Sequence, residues 1–417
     1  MSSPTPDGHG FISLATSLEQ ARYYQDIAFD LAHIATAARR FLDTELSEEN
    51  AQTVVLAIEA LSDLAIRGTS VIGPDSTFSS PQITLNRAAM IARTGYRIVF
   101  VGMSEAGRLV RVSLVDGILP EVRIEGDASF SRERFRRWAE RFPYGYGQSQ
   151  DPNVFWTSTE SLGLTVSEPK PTIFIMDTTL QRFPPNLLRI GDDFAGRLMP
   201  VASAPSMSWL AARALSQATE VNSGSRAWIP TDTGPEKDMA LDMLAERLKD
   251  DLKAHNVTLR RDAEVPDDMA RSELSIVAAH GGLLPGERYF QKVSDNVNLA
   301  IYPETLAAAL QDSGVVLLFI CSGGRVDSHP QAETTIGLVK QLFNYGCASV
   351  VASPWPLNVS VPPKWLPVFL KKWDHGDTVA EAAFEANRVV ANSLGGNPGD
   401  YLAMNVFGDG LLRKAQR

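Results

Sequence analysis

The chain has 417 residues, of which 44% are hydrophobic and 21% charged, so it is long enough for two or three packed cores of ordinary globular composition. Its net charge of −10 argues against direct binding of nucleic acid, and no apolar run reaches the roughly 18–20 residues that span a bilayer. The N-terminus lacks the pattern of a secretory signal, and the two cysteines are too few for a disulfide framework. We therefore expect a cytoplasmic protein without a membrane partner.

The first part of the chain has a helical pattern. Apolar residues recur at three- and four-residue steps between about residues 14 and 68. Ser47 is a good N-cap for a second helix, which is expected to end at Gly68. The sequence therefore predicts a helical N-terminal region over residues 1–90.

The next segment, residues 91–165, begins with β character. Arg97–Val101 is apolar after its first residue, a turn follows, and Leu109–Val115 alternates partly between apolar and polar residues before a second turn. This pattern predicts a β-meander. The arginine-rich stretch Arg132–Arg141 has helical spacing, and its charges fit either a solvated helix face or a binding patch.

Residues 166–417 alternate between short apolar runs and helical patterns, which predicts an α/β domain with a mainly parallel sheet. The polar stretch Asn222–Lys237 is expected to be an exposed loop. The predicted strands are Thr172–Met176, Met199–Ala202, Arg226–Ile229, Leu274–Ala279, Val315–Ile320 and Ala348–Ala352, and the predicted helices include Asp238–His255, Glu304–Gln311 and Thr334–Tyr345.

Two of the apolar runs end on a reactive side chain followed by small residues. One ends at His280, before Gly281, and the other ends at Cys321, 41 residues further along the chain. Ligands bind outside the carboxyl ends of the strands in α/β sheets. Two adjacent strands with these ends would present an imidazole and a thiol at the same edge of the sheet. Such a pair is typical of a cysteine peptidase.

Peptide hydrolysis by a thiol requires a nucleophile, a proton donor for the leaving amine and donors for the oxyanion. We predict that Cys321 is the nucleophile, that His280 protonates the amine, and that the backbone amides of Gly281 and Cys321 form the oxyanion hole. The histidines have no metal-ligand spacing, and this chemistry needs no metal or organic cofactor.

Other interpretations of these side chains stay open. A cysteine in an apolar run is often only a small buried hydrophobe, which is how we interpret Cys347. His329 is close to Cys321 in the sequence and competes with His280 as the base, although its place before a proline favours solvent exposure.

Several segments in the same order resemble the CHAT family of caspase-like cysteine peptidases, which are related to separases and gingipains. The resemblance covers roughly residues 171–410 and includes the segment that ends in Ser353, Pro354, Trp355 and Pro356. The matching segments are Asp177–Pro184, Ala204–Leu210, His280–Gly281, Cys321–Gly323, Gly346–Pro356 and Phe407–Gly410.

The resemblance implies a caspase-like α/β/α sandwich over residues 166–417, with His280 and Cys321 as the catalytic dyad. It also implies a prokaryotic endopeptidase that cleaves a specific protein substrate after activation, in antiviral defence or regulated cell death, for example by activating a pore-forming effector. Family members are commonly controlled by attached domains or partners, and residues 1–90 fit the binding of an activating protein. Ala279, Ser322 and Gly323 depart from the family's usual threonine, glutamate and threonine.

Three residues are candidates for substrate binding: Asp177, Glu333 and Trp355. By the resemblance, Asp177 would help to form the pocket for the residue before the cut and would favour Arg or Lys there. Each of the three side chains could instead have a purely structural role. For Asp177 that role would be to cap or brace a loop. The alternatives to an enzyme are a catalytically silent peptide-binding scaffold of the same fold and an interaction protein that acts through its N-terminal half.

Overall fold

The computed structural model describes residues 27–67, 81–117, 120–125, 132–141, 153–160, 168–216, 222–231, 239–283, 291–292, 301–328 and 335–415. Its helices are α1 (Ile27–Phe41), α2 (Ala51–Arg67), α3 (Pro81–Ala92), α4 (Arg132–Arg141), α5 (Asn153–Glu160), α6 (Ala195–Leu198), α7 (Met207–Ser216), α8 (Met239–Ala254), α9 (Pro303–Ala309), α10 (Leu338–Asn344), α11 (Pro362–Asp374), α12 (Val379–Ser393) and α13 (Pro398–Tyr401).

Eleven strands form one sheet. They are β1 (Arg97–Met103), β2 (Leu109–Leu114), β3 (Glu121–Glu125), β4 (Thr172–Met176), β7 (Val201–Ala204), β8 (Asn222–Trp228), β9 (Val257–Arg260), β10 (Ser272–Ala278), β13 (Val315–Phe319), β16 (Ser349–Ala352) and β17 (Asn405–Gly408). Among the described residues, three short pairs lie outside it: β5 (Arg189–Ile190) with β6 (Asp193–Phe194), β11 (Gly282–Leu283) with β12 (Gln291–Lys292), and β14 (Asp327–Ser328) with β15 (Thr335–Ile336).

The large sheet has the order β3-β2-β1-β4-β7-β17-β16-β13-β10-β8-β9. Strands β1, β4, β7 and β17 are parallel to one another, and so are β16, β13, β10, β8 and β9. The two groups meet at the antiparallel pair β16/β17, so they point in opposite directions. We call the edge at which β10, β13 and β16 end the upper rim. Strands β1, β4 and β7 end at the lower rim.

The short apolar runs formed strands as predicted, because a parallel strand covered on both faces needs apolar side chains throughout. Thr172–Met176 has the predicted bounds, and the other five predicted strands of residues 166–417 differ by a few residues at their ends. The predicted loop Asn222–Lys237 is wrong in its first half, since Asn222–Trp228 is strand β8 between β10 and β9. Its polar Arg226 bonds to Asp268 and to Ser272.

The sheet continues across the predicted segment boundaries. Strand β1 pairs in parallel with β4, and β2 and β3 extend the sheet from β1, so the meander is part of the same sheet as the strands of residues 166–417. The N-terminal helices pack on this sheet, and Ile34, Phe41 and Leu61 are buried in the common core. The boundaries at residues 90 and 165 therefore do not separate independent cores.

The arginine-rich helix α4 packs through its aromatic side chains. Phe135 and Trp138 are buried, whereas Arg136 and Arg137 are exposed and pair with Glu133. This arrangement fits the solvated helix face. None of the described helices is long and apolar enough to cross a membrane.

Candidate active site

His280 and Cys321 follow two neighbouring strands at equivalent positions. Strands β10 and β13 are parallel, and Ala278 pairs with Phe319 at their carboxyl ends. Each candidate residue comes two positions after this pair, and both are partly exposed. The structure therefore brings the predicted thiol and imidazole to the same place on the upper rim.

Gly281 lies against the backbone of Cys321. A Cβ atom added to Gly281 would collide with the side chain of Ile320 and the carbonyl oxygen of Cys321, and would lie 3.1 Å from the Cys321 nitrogen. Only glycine allows the loop after β10 to approach the nucleophile this closely. The contact joins the two loops that carry the candidate dyad.

The backbone after Cys321 turns sharply. Ser322 has a φ of 56°, in the left-handed region that non-glycine residues rarely adopt. The amide of Ser322 donates to the Trp355 carbonyl at 3.0 Å, and the amide of Gly324 donates to the Ser353 carbonyl at 2.8 Å. The segment after β16 thus holds a strained turn in place, and such strain is common at functional sites.

The backbone amides of the loops after β10 and β13 differ in whether they already donate a hydrogen bond. The amides of Ser322, Gly323 and Gly324 all donate to backbone carbonyls. Within the part of the chain that the structure describes, the amides of Gly281 and Cys321 donate to no backbone carbonyl. These are the two amides that the sequence analysis assigned to the oxyanion hole, and that role remains a prediction.

Leu357 contacts the candidate nucleophile and was missed by the sequence analysis. Its backbone amide donates to Sγ of Cys321 at 3.4 Å, and the Leu357 carbonyl oxygen lies 3.9 Å from the same sulfur. The group that contacts the sulfur is a main-chain N–H, which has no signature in the sequence. Only the proximity of Leu357 to the Trp355-Pro356 segment could have drawn attention to it.

The structure contradicts the placement of Asp177 in a substrate pocket. Asp177 follows β4, which runs opposite to β13, so it lies at the lower rim. From the strand registers, Asp177 and Cys321 are separated by about eight residues along the strand direction, or roughly 26 Å. The sequence alone could not show this, because the reversal occurs at β16/β17, far away in the chain.

The surroundings of Asp177 fit its structural alternative. Its side chain is fully buried and accepts hydrogen bonds from the amides of Met103 at 2.6 Å, Thr179 at 2.8 Å and Leu180 at 3.1 Å. Arg39 of α1 adds an ion pair at 3.3 Å. A carboxylate with these partners braces the loop after β4.

Trp355 is close to the candidate site, but its side chain does not line a cleft. The indole is fully buried, and its N–H donates to the Gly399 carbonyl at 2.7 Å. Its role at the rim comes from its backbone carbonyl, which accepts from Ser322. Glu333 and the alternative base His329 lie outside the described residues.

Asp400 is an acidic residue at the upper rim that the sequence analysis did not single out. It belongs to α13, just before β17 begins at that rim, and it is partly buried. Burial raises its pKa, while a hydrogen bond from the side chain of Asn358 opposes the shift. Asn358 follows Leu357 directly, so Asp400 is linked to the residue that contacts Cys321. No local motif marks it in the sequence.

Cys347 has the buried position expected of it. Both cysteines are free, and the Cys347 side chain is fully buried. Burial raises the pKa of its thiol to about 12. Cys347 is therefore protonated at neutral pH, which leaves Cys321 as the partly exposed thiol of the chain.

Comparisons with known proteins identify the fold. No family model matches the sequence, and no curated protein matches it. A crystal structure of the Saccharomyces cerevisiae separase–securin complex matches with a TM-score of 0.57 and 10% identity, over 96% of this chain and 37% of that chain. A second structure of that complex gives a TM-score of 0.52 and 10% identity, over 98% of this chain and 38% of that chain.

A structure of the Arg-specific cysteine proteinase gingipain R has a TM-score of 0.39 and 11% identity, over 69% of each chain. The chain spans less than half the length of the separase chains that it matches. The likeness to separase defines the class of fold, a caspase-like α/β fold with a mixed, mostly parallel sheet of 11 strands. His280 and Cys321 follow neighbouring strands of that sheet.

Proposed function

We propose that the protein is a cysteine endopeptidase of the CHAT type, with Cys321 and His280 as its dyad. The observation that carries the proposal is the placement of both residues at equivalent positions after β10 and β13, on one rim of a caspase-like sheet. A scaffold that only binds peptides would have no need for a thiol and an imidazole, both partly exposed, after neighbouring strands. This pair favours the enzyme over the silent alternative.

The reaction follows from the positions of these groups. The Cys321 sulfur attacks the scissile carbonyl carbon, and the carbonyl electrons move onto the oxygen, where the amides of Gly281 and Cys321 would donate to it. His280 gives its proton to the leaving amine as the C–N bond breaks and a thioester forms. Water then attacks the thioester, with His280 accepting its proton, and releases the acid and the thiol.

The biological setting that we propose rests on the resemblance of the sequence to CHAT peptidases. The substrate is a specific protein in the cytoplasm, and its cleavage serves antiviral defence or regulated cell death. An activating protein would act through the N-terminal helices. These helices pack on the sheet that carries the dyad, so their displacement would change the packing of the common core.

Asp400 is our candidate for the group that selects the residue before the cut. It precedes β17, which lies two strands from β13, a lateral distance of roughly 10 Å between these strands. The side chains of Lys and Arg can extend over much of that distance, and an acidic partner would favour them. This assignment replaces the one predicted for Asp177.

Covalent labelling tests the proposal without knowledge of the substrate. Peptidyl acyloxymethyl ketones that end in arginine or in norleucine are offered to the full chain, and the modified residue is mapped by mass spectrometry. Wild type and Cys347→Ala should gain one adduct, on Cys321, and His280→Ala should gain it much more slowly. Adduct formation in Cys321→Ala at the wild-type rate would overturn the proposal.

The same probes test Asp400. Asp400→Asn should reduce the preference for the arginine probe over the norleucine probe by about tenfold, because an ion pair is lost. Glu385→Gln is the matched control, since Glu385 pairs with Arg388 on α12. An unchanged preference in Asp400→Asn would remove Asp400 from the pocket and leave the dyad untouched.

A further inference from the structure

We propose that the backbone amide of Leu357 is part of the reaction centre, where it stabilises the Cys321 thiolate. The inference rests on the proposed function and deepens it. It concerns a group that the sequence analysis did not consider, on the segment after β16. The geometry of three successive contacts carries it.

The segments after β13 and β16 run past each other with regular contacts. The amide of Gly324 donates to the Ser353 carbonyl at 2.8 Å, and the amide of Ser322 donates to the Trp355 carbonyl at 3.0 Å. The next contact in the series joins the Leu357 amide to Cys321, but there the acceptor is the sulfur. The position of this amide is therefore fixed by the backbone contacts that precede it.

Side chains hold the same segment in place. The Ser353 hydroxyl donates to the Trp355 carbonyl at 2.8 Å and accepts from the Trp355 amide at 3.3 Å. The Trp355 ring is buried and contacts the ring of Phe155 at a centroid distance of 5.5 Å. These contacts hold the segment that carries the Leu357 amide next to the sulfur.

An amide donor favours the charged form of its acceptor. A thiolate accepts hydrogen bonds, so an N–H at 3.4 Å stabilises the anion relative to the thiol. The neutral thiol can donate only weakly to the Leu357 carbonyl oxygen, which is 3.9 Å away. The stronger of these two contacts is thus the one that the thiolate accepts, and the thiolate is the nucleophilic form of cysteine.

Substitution by proline removes this N–H and leaves the carbonyl. The test compares wild type, Leu357→Pro and Leu357→Ala in the full chain, and it measures the rate of alkylation of Cys321 by iodoacetamide as a function of pH. Cys347 is the internal reference, because it is buried and protonated at neutral pH. Alkylation needs no peptide substrate, so its outcome is separate from that of the labelling by peptidyl probes.

Leu357→Ala should react like wild type. Leu357→Pro should have its alkylation profile displaced upward by about one pH unit, which corresponds to a tenfold change in the thiol–thiolate equilibrium and a several-fold lower rate at pH 7. A profile of Leu357→Pro that coincides with wild type would overturn the proposal.

A second variant covers the case in which Leu357→Pro does not fold. Ser353→Ala keeps the Leu357 amide but removes the hydroxyl that fixes the segment. Its alkylation profile should shift in the same upward direction by a smaller amount. No shift, or a downward one, would overturn the proposal.

Discussion

Arg39 and Asp177 form a buried ion pair that ties the first described helix to the end of a central strand. Nη1 of Arg39 lies 3.3 Å from Oδ2 of Asp177, and the two side chains are 4% and 0% exposed. Arg39 also donates to the Met103 carbonyl at 2.9 Å and to the Thr179 hydroxyl at 3.3 Å. The N-terminal helix is therefore built into the fold that carries the candidate dyad.

Replacement of Arg39 by alanine should destabilise the whole protein. Asp177 would keep its amide donors but lose its charge partner, and removal of one member of a buried pair costs about 3–5 kcal/mol. The free energy of unfolding from urea titrations checks this. Arg40→Ala is the control, since Arg40 is exposed on the same helix. Equal stability of the two variants would contradict the bracing role of Arg39.

Glu59 should make stability depend on pH. Burial, together with the Asp63 carboxylate, raises the pKa of Glu59 from 4.5 to about 7. The folded protein therefore binds this proton more tightly than the unfolded chain does. Its contribution to stability is fully present below about pH 4.5 and is lost as the pH rises through about 7, by up to about 3 kcal/mol.

Glu59→Gln should remove this contribution from the pH profile. The free energy of unfolding is measured between pH 4.5 and 8 in wild type, Glu59→Gln and the exposed control Glu49→Gln. Wild type and Glu49→Gln should lose more stability across this range than Glu59→Gln. Parallel profiles for all three proteins would show that Glu59 titrates normally.

Gly281→Ala should reduce the proposed peptidase activity more than it destabilises the fold. The added Cβ would push the loop after β10 away from Cys321, and a displacement of about 1 Å at a reaction centre can cost about a hundredfold in rate. Gly224→Ala is the control, because its Cβ would meet only the flexible guanidinium of Arg226, at 3.2 Å. Wild-type kcat/KM in Gly281→Ala would rule out the close approach that we describe.

The sequence predicts the local parts of this structure well. The apolar runs that end at His280 and Cys321 become strands because both faces of a parallel strand are covered, and the residues after them reach the rim by topology alone. Strand β8 was mistaken for a loop in part because its polar residues are satisfied by partners such as Asp268 that only the tertiary structure supplies.

The remaining features depend on contacts between distant segments. The position of Asp177 follows from the direction of its strand relative to β16, and β16 and β17 are paired through the last part of the chain. At the upper rim Asp400 forms a hydrogen bond with Asn358, which is 42 positions earlier in the chain. The donor at Leu357 belongs to the backbone, so its side chain gives no sign of it.

If Cys321 and His280 cut peptide bonds, each cut creates a new N-terminus. The full chain is incubated with a denatured library of cellular proteins, and the new N-termini are mapped by mass spectrometry. Wild type and Cys347→Ala should produce the same set of cuts, and Cys321→Ala and His280→Ala should produce none of them. The same cuts in wild type and Cys321→Ala would show that Cys321 is not the nucleophile.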